Sequence, residues 1–279
     1  MEKISDKTYG GERPLYASHD LRIENVTILA GESAVKECSH IEAVGCRFEG
    51  KYPLWCCDGT LVERCTFTEG ARAAIWYSQN MVMRDCDVIA PKMFREMDGL
   101  RIEHTKFHHA EEMLWGCRGL EMKDCVLEDA LYPFMHCSDV RLDHVQVSGR
   151  YSFQYAKNVE IHDSVLDTKD SFWETEHVTI YDSTLIGEYL AWYSKDLRLV
   201  RCRIEGTQPL CYAENLILED CTFADDADLA FEYSTVQATI GGRVHSVKNP
   251  TSGHIHASGG YGEIILDGNR KAPGDCVID

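Results

Sequence analysis

Leu120-Glu-Met-Lys-Asp-Cys-Val-Leu127 holds the pattern on which the whole chain is built. Apolar side chains alternate on both sides of a polar pair, so the segment reads as two short strands meeting at a corner. The same form stands at Leu21-Arg-Ile-Glu-Asn-Val-Thr-Ile28, Met81-Val-Met-Arg-Asp-Cys-Asp-Val88 and Leu216-Ile-Leu-Glu-Asp-Cys-Thr-Phe223. Its sixth position runs Cys46, Cys65, Cys86, Thr105, Cys125, Val145, Ser164, Ser183, Cys202, Cys221, at steps of nineteen to twenty-one residues. Eleven units fit from Leu21 to Phe223, and a degenerate twelfth begins near Val236. A fixed period of this length is the mark of a solenoid.

Each unit carries a third apolar stretch, as in Pro53-Leu-Trp-Cys-Cys57, Ala74-Ile-Trp-Tyr-Ser78, Ser152-Phe-Gln-Tyr-Ala156 and Leu190-Ala-Trp-Tyr-Ser194. Asn and Asp at the corners (Asn25, Asp85, Asp124, Asp163, Asp182, Asp220) suit left-handed backbone and tight turns. Three short strands in about twenty residues bury nothing alone. Stacked coil on coil, they form three parallel sheets around a linear core, which is a parallel β-helix. A leucine-rich repeat fits less well, because no helical stretch is present in the unit. Eleven to twelve coils are expected within a single domain. Residues 1–20 are read as an N-terminal cap, 21–240 as coils and 241–279 as a C-terminal cap.

The chain has 279 residues, with 28 Lys+Arg against 46 Asp+Glu and a formal charge of −18. Phosphates would be repelled, so neither nucleic acid nor an anionic membrane is an expected partner. No apolar run reaches the length of a membrane-spanning helix, and the first residues lack the apolar core of a secretion signal. A cytoplasmic location is therefore expected. The thirteen cysteines have no Cys-x-x-Cys spacing, so the regular column reads as small core residues rather than a metal site. No metal or other cofactor is expected.

The coil pattern resembles the pectin-lyase-like superfamily of right-handed parallel β-helices. Tyr9-Gly-Gly-Glu-Arg-Pro-Leu-Tyr16 and Ser246-Val-Lys-Asn-Pro-Thr-Ser-Gly253 resemble the opening and closing segments of an uncharacterised bacterial family with that fold. The resemblance covers nearly the whole chain. It implies a right-handed coil; characterised relatives are mostly polysaccharide lyases, glycoside hydrolases and carbohydrate esterases, so lyase- or hydrolase-like chemistry is the expectation if the chain is an enzyme. The Asn-Thr-Asp and Gly-His-Gly motifs of polygalacturonases are absent, and Asp225-Asp226 stands without those companions. The calcium-binding aspartates and arginine base of pectate lyases have no counterpart cluster either.

Chemistry is expected on the third strand. One column reads Trp55, Trp76, Arg95, Trp115, Met135, Gln154, Trp173, Trp192, Cys211, Phe231. The next reads Cys56, Tyr77, Glu96, Gly116, His136, Tyr155, Glu174, Tyr193, Tyr212, Glu232. Flat rings on rungs ~4.8 Å apart offer a stacking platform for an oligosaccharide or another elongated ligand. Trp76, Tyr77, Trp115, Tyr155, Trp173, Glu174, Trp192 and Tyr193 are the binding residues of this reading. Glu96 with Glu112 is the candidate acid and base pair, with Arg95 and His136 beside it. His108, His109 and Glu112 form a conceivable but weaker metal set. The alternative function is a non-catalytic scaffold that uses the same strip to bind a protein or its own copy, so a homo-oligomer is one expected state.

Overall fold

The computed structural model describes residues 1–267 and 276–279. The chain is an all-β parallel solenoid of about fourteen turns, and no α-helix occurs among the described residues. It divides into two units, Met1–Val140 and Arg141–Asp279.

In the first unit, strands Glu2–Ser5, His19–Glu24, Ser39–Val44, Asp58–Glu63, Gln79–Arg84, Asp98–Glu103 and Arg118–Lys123 pair in parallel, each with its counterpart one coil away. The register follows the repeat: Ile23, Ala43, Val62, Met83, Ile102 and Met122 are successive partners, all buried. A second sheet stacks Ile28, Phe48, Phe67, Val88, Phe107 and Leu127. The Phe48 and Phe67 rings lie 4.8 Å apart at 15°.

The second unit repeats this plan. Ile161, Ile180, Leu199, Leu218, Ala238, Ile255 and Ile278 are partners along one sheet. Val165–Lys169, Thr184–Ile186 and Arg203–Glu205 stack along the other. Strand Tyr261–Ile265 pairs with Val244–Lys248.

Residues 1–20, read from sequence as a cap, form a coil of their own. Glu2 pairs with Leu21, Ile4 with Ile23, and Tyr9 with Ile28. In this coil Glu2 stands at the position that Leu21, Ile41, Thr60 and Met81 take in the coils that follow.

The cysteine column does more than fill space. At the corner the backbone ladder is interrupted, and the side chain of the next coil takes over. Cys46 N–H donates to Cys65 Sγ (3.3 Å), Cys65 N–H to Cys86 Sγ (3.4 Å), and Cys86 N–H to Thr105 Oγ1 (3.3 Å). In the second unit, Val145 N–H donates to Ser164 Oγ and Ser164 N–H to Ser183 Oγ, both at 3.0 Å. Cys, Ser and Thr exchange freely here because each offers a short acceptor on a small side chain. All thirteen cysteines are free thiols.

The third face keeps the coil-to-coil ladder in a tighter backbone. Leu54 N–H bonds Ala74 O, Ile75 N–H bonds Met93 O, and Ala191 N–H bonds Ser171 O. Regular strand pairing occurs here between Ile75–Trp76 and Phe94–Arg95, and again between Val244–Lys248 and Tyr261–Ile265. Elsewhere alternate residues take left-handed φ. Phe153 (61°), Phe172 (59°) and Leu210 (62°) do so facing the core, and Tyr155 (60°), Glu174 (52°), Tyr193 (60°), Tyr212 (60°) and Tyr233 (55°) do so facing outward.

Candidate functional site

The third face positions the aromatic column and the residues beside it, and each unit arranges them differently. In the first unit the tryptophan column is a closed pile. Trp55 and Trp76 stack at 5.2 Å and 12°. The Arg95 guanidinium follows, 4.2 Å from the Trp76 ring centre and 4.5 Å from that of Trp115. Each indole N–H is spent on the backbone of the next coil: Trp55 on Ala73 O (2.6 Å), Trp76 on Lys92 O (2.8 Å), Trp115 on Tyr132 O (2.7 Å). The ring faces look along the coils and cover one another. The expected flat platform of indoles is therefore not formed, since a sugar needs an open face. Tyr77, 52% exposed, meets Trp55 and Trp76 edge-on.

Glu96 and Glu112 are not brought together. Lys92 N–H bonds Glu111 O, and Glu96 N–H bonds Trp115 O, so Glu112 lies beside Lys92 and Glu96 beside Gly116. Glu112 is held by Lys92 (2.9 Å) and lies 3.7 Å from Arg95. Glu96 leans over the next coil instead. A Cβ on Gly116 would stand 2.7 Å from Glu96 Oε1. Gly116, at φ 62°, thus leaves room for the carboxylate on the side of His136, which occupies the same outward position one coil further on. His136 is exposed.

The His108-His-Ala-Glu-Glu112 cluster is dispersed. His108 sits 2.7 Å from Asp87 and 3.5 Å from Glu128, while His109 faces Asp129 at 3.4 Å. Histidine beside carboxylate is a habit of the corners. His104 lies between Asp85 (3.6 Å) and Asp124 (3.4 Å). Within strand Ser252–Ala257, His254 and His256 lie 3.1 and 2.9 Å from Asp279. Asp143, His144 and Asp163 gather three ligating atoms within 4.8 Å in the same manner. The corner ladder accounts for this group without a metal.

In the second unit the inner column reads Gln154, Trp173, Trp192, Cys211. The next partner is Glu232 in place of Phe231, because Tyr212 N–H bonds Glu232 O and Phe231 N–H bonds Pro209 O. Trp173 and Trp192 stack at 5.4 Å and 9° and give their N–H groups to Tyr189 O and Gln208 O. The outward column is Tyr155, Glu174, Tyr193, Tyr212, Tyr233. Tyr155 is 40% and Tyr193 48% exposed. Tyr193 and Tyr212 stack at 4.9 Å and 14°, with Trp192 edge-on behind both.

These tyrosines wall an open groove of about 430 Å3, lined by Glu174, Thr175, Glu176, Tyr193, Lys195, Tyr212 and Glu214. Lys157, 3.0 Å away, holds the Glu176 carboxyl below its usual range. Lys195 lies 3.6 Å from Glu214. Burial, and then Glu232, push the Tyr212 phenol up, which keeps it a hydrogen-bond donor. Among the described residues, Glu174 makes no ion pair or side-chain hydrogen bond. The sequence reading named Glu174 and Tyr193. It missed Glu176, Lys195 and Glu214, which reach the groove around the corner from the first sheet.

A second groove, about 560 Å3, is lined by Asp225, Arg243, His245, Gly262 and Glu263. The sequence reading missed it as well. Its one signal is Gly262, where a Cβ would meet His245 O at 2.4 Å.

Solved structures with a similar fold include PfbA, a surface adhesin of Streptococcus pneumoniae (8% identity, TM-score 0.48, covering 92% of this chain and 82% of that one). Two mutant tailspike proteins of E. coli bacteriophage HK620, each in complex with pentasaccharide, align with TM-scores of 0.44 and 0.45. Their identities are 8% and 9%, covering 93% and 99% of this chain and 60% and 70% of theirs. No curated protein matches the chain. The family model "Protein of unknown function (DUF3737)" matches residues 2–279, and the chain belongs to that family.

Proposed function

We propose that the protein binds an oligosaccharide along the third face of its second unit, in the groove walled by Tyr193 and Tyr212. The observation that carries this reading is the exposed tyrosine stack beside carboxylates on successive coils. Tyr193 has one face covered by Tyr212. The coil on the side away from Tyr212 carries Glu174, which lines the groove together with Tyr193. A sugar ring needs an apolar face to stack on and hydrogen-bonding groups around its rim, and this groove supplies both. Stacking is offered by the one Tyr193 face that Tyr212 leaves uncovered, and the rest of an elongated chain would run past the polar groups of the neighbouring coils. The tryptophans act behind the groove, fixing the backbone on which the tyrosines stand.

Titration calorimetry with neutral, acidic and basic hexasaccharides tests the reading. Binding that weakens at least tenfold in Tyr193→Ala, with an unchanged unfolding temperature, supports it. Absence of binding to every oligosaccharide contradicts it.

A further inference from the structure

Two features of the groove in the second unit bear on the charge of the sugar it takes. The first is its charge. Glu174, Glu176 and Glu214 face one lysine, Lys195, and the chain as a whole carries −18. Glu176 is matched by Lys157 and Glu214 by Lys195. Glu174 is left over, an exposed carboxylate with no cation among the described residues. It stands next to the open face of Tyr193.

The second is an arrangement the first unit completes by itself. There the aromatic column is interrupted at Arg95, and the guanidinium fills the gap between Trp76 and Trp115 at 4.2 and 4.5 Å, with Glu112 3.7 Å away. Cation, ring faces and carboxylate come together in one place, the geometry in which a cation is held over aromatic rings. In the second unit the outward column is interrupted at Glu174. The ring face and the carboxylate are present, and no side chain of the described residues supplies the cation.

We propose that the ligand supplies it: the groove selects oligosaccharides of amino sugars whose amines are free and protonated. The ammonium lies over Tyr193 against Glu174, and the sugar chain continues past Tyr212. An N-acetylated chain has the same shape without the charge. A uronic acid chain brings like charge to Glu174, Glu176 and Glu214 and is repelled. The inference rests on the oligosaccharide reading above and adds the class of sugar to it.

Glucosamine hexamer, N-acetylglucosamine hexamer and galacturonic acid hexamer are titrated into the full chain at low salt and mildly acidic pH. The glucosamine hexamer is expected to bind about tenfold or more tightly than the N-acetylated one, a gap of about 1.4 kcal/mol, and the galacturonate not at all. Glu174→Gln should close the gap, and added salt should narrow it. Equal binding of the charged and acetylated hexamers in the native chain overturns the amine selectivity and leaves the oligosaccharide reading standing. So does tighter binding of the galacturonate. Failure of all three to bind overturns both. A gap that persists in Glu174→Gln, with Tyr193→Ala still binding, removes the assigned site.

Discussion

Arg95 lies with its guanidinium 4.2 Å from the ring centre of Trp76. The same group covers Trp115 from the other side at 4.5 Å, so one cation ties three coils together. A sandwich of this kind contributes through lost-packing and cation–π terms together, on the order of 2 kcal/mol when partly desolvated. Arg95→Ala is expected to lower stability by about that amount in urea unfolding. Arg95→Lys keeps the charge but not the plane, and should recover only part of it. No change in Arg95→Ala would mean that the pile contributes nothing.

Ser164 bridges two coils at a corner. Its hydroxyl accepts from Val145 N–H at 3.0 Å and donates to His162 O at 2.7 Å. Ser164→Ala leaves a buried donor unsatisfied, which costs about 1–3 kcal/mol. Ser164→Cys should cost far less, because Cys65 and Cys86 accept the same bond at this position in coils of the first unit. Comparing the two variants by chemical unfolding separates a hydrogen-bond acceptor from a simple space filler.

Gly116 and Glu96 should be coupled. Gly116→Ala places a Cβ in left-handed backbone and 2.7 Å from Glu96 Oε1, at a cost of about 1 kcal/mol or more. Part of that cost comes from displacing the carboxylate. In Glu96→Ala the Gly116→Ala penalty should shrink, and a double-mutant cycle measures the difference. Strict additivity would place the Glu96 carboxylate elsewhere.

Asp170 gives the pH dependence a sign. It is 8% exposed, and burial raises its carboxyl, with Lys169 opposing and Glu188 adding. The folded state holds the proton more tightly than the unfolded chain. Stability from this group is therefore fully present below its unfolded value and falls as pH rises through the raised folded value. Asp170→Asn, at φ 53° where Asn is equally at home, should stabilise the chain at neutral pH and do nothing in acid. Asp182 works in the opposite sense. Its bidentate contact with Arg201 holds its carboxyl below the usual range, and that contribution is lost as pH falls through the lowered folded value. Unfolding curves of Asp170→Asn and the native chain across the acid range check the sign.

The coil register was readable from Cys46, Cys65, Cys86 and their successors because equal positions in a solenoid touch, so a period in sequence becomes a column in space. The strand pairs Met83–Ile102 and Ile102–Met122 fall where that period puts them. Orientation of the rings was not readable. A column of tryptophans has the same spacing whether the indoles face solvent or each other, and the bonds from Trp173 to Tyr189 O and from Trp192 to Gln208 O decide the matter. The left-handed backbone at Tyr155, Glu174 and Tyr193 was equally hidden, because none of these residues signals positive φ as Gly or Asn does. At Phe231 the turn is longer by one residue, and the column moved to Glu232. The groove was half legible. Its tyrosines and Glu174 belong to one repeat position, whereas Glu176 and Glu214 belong to the first sheet and meet them only around a corner.

A crystal of the protein grown with a bound amino-sugar hexamer tests the central claim most directly. The account predicts a sugar ring against the open face of Tyr193, with an amine beside the Glu174 carboxylate and the chain running past Tyr212. A hexamer bound on any other surface, or a groove filled only by solvent at saturating ligand, would contradict it.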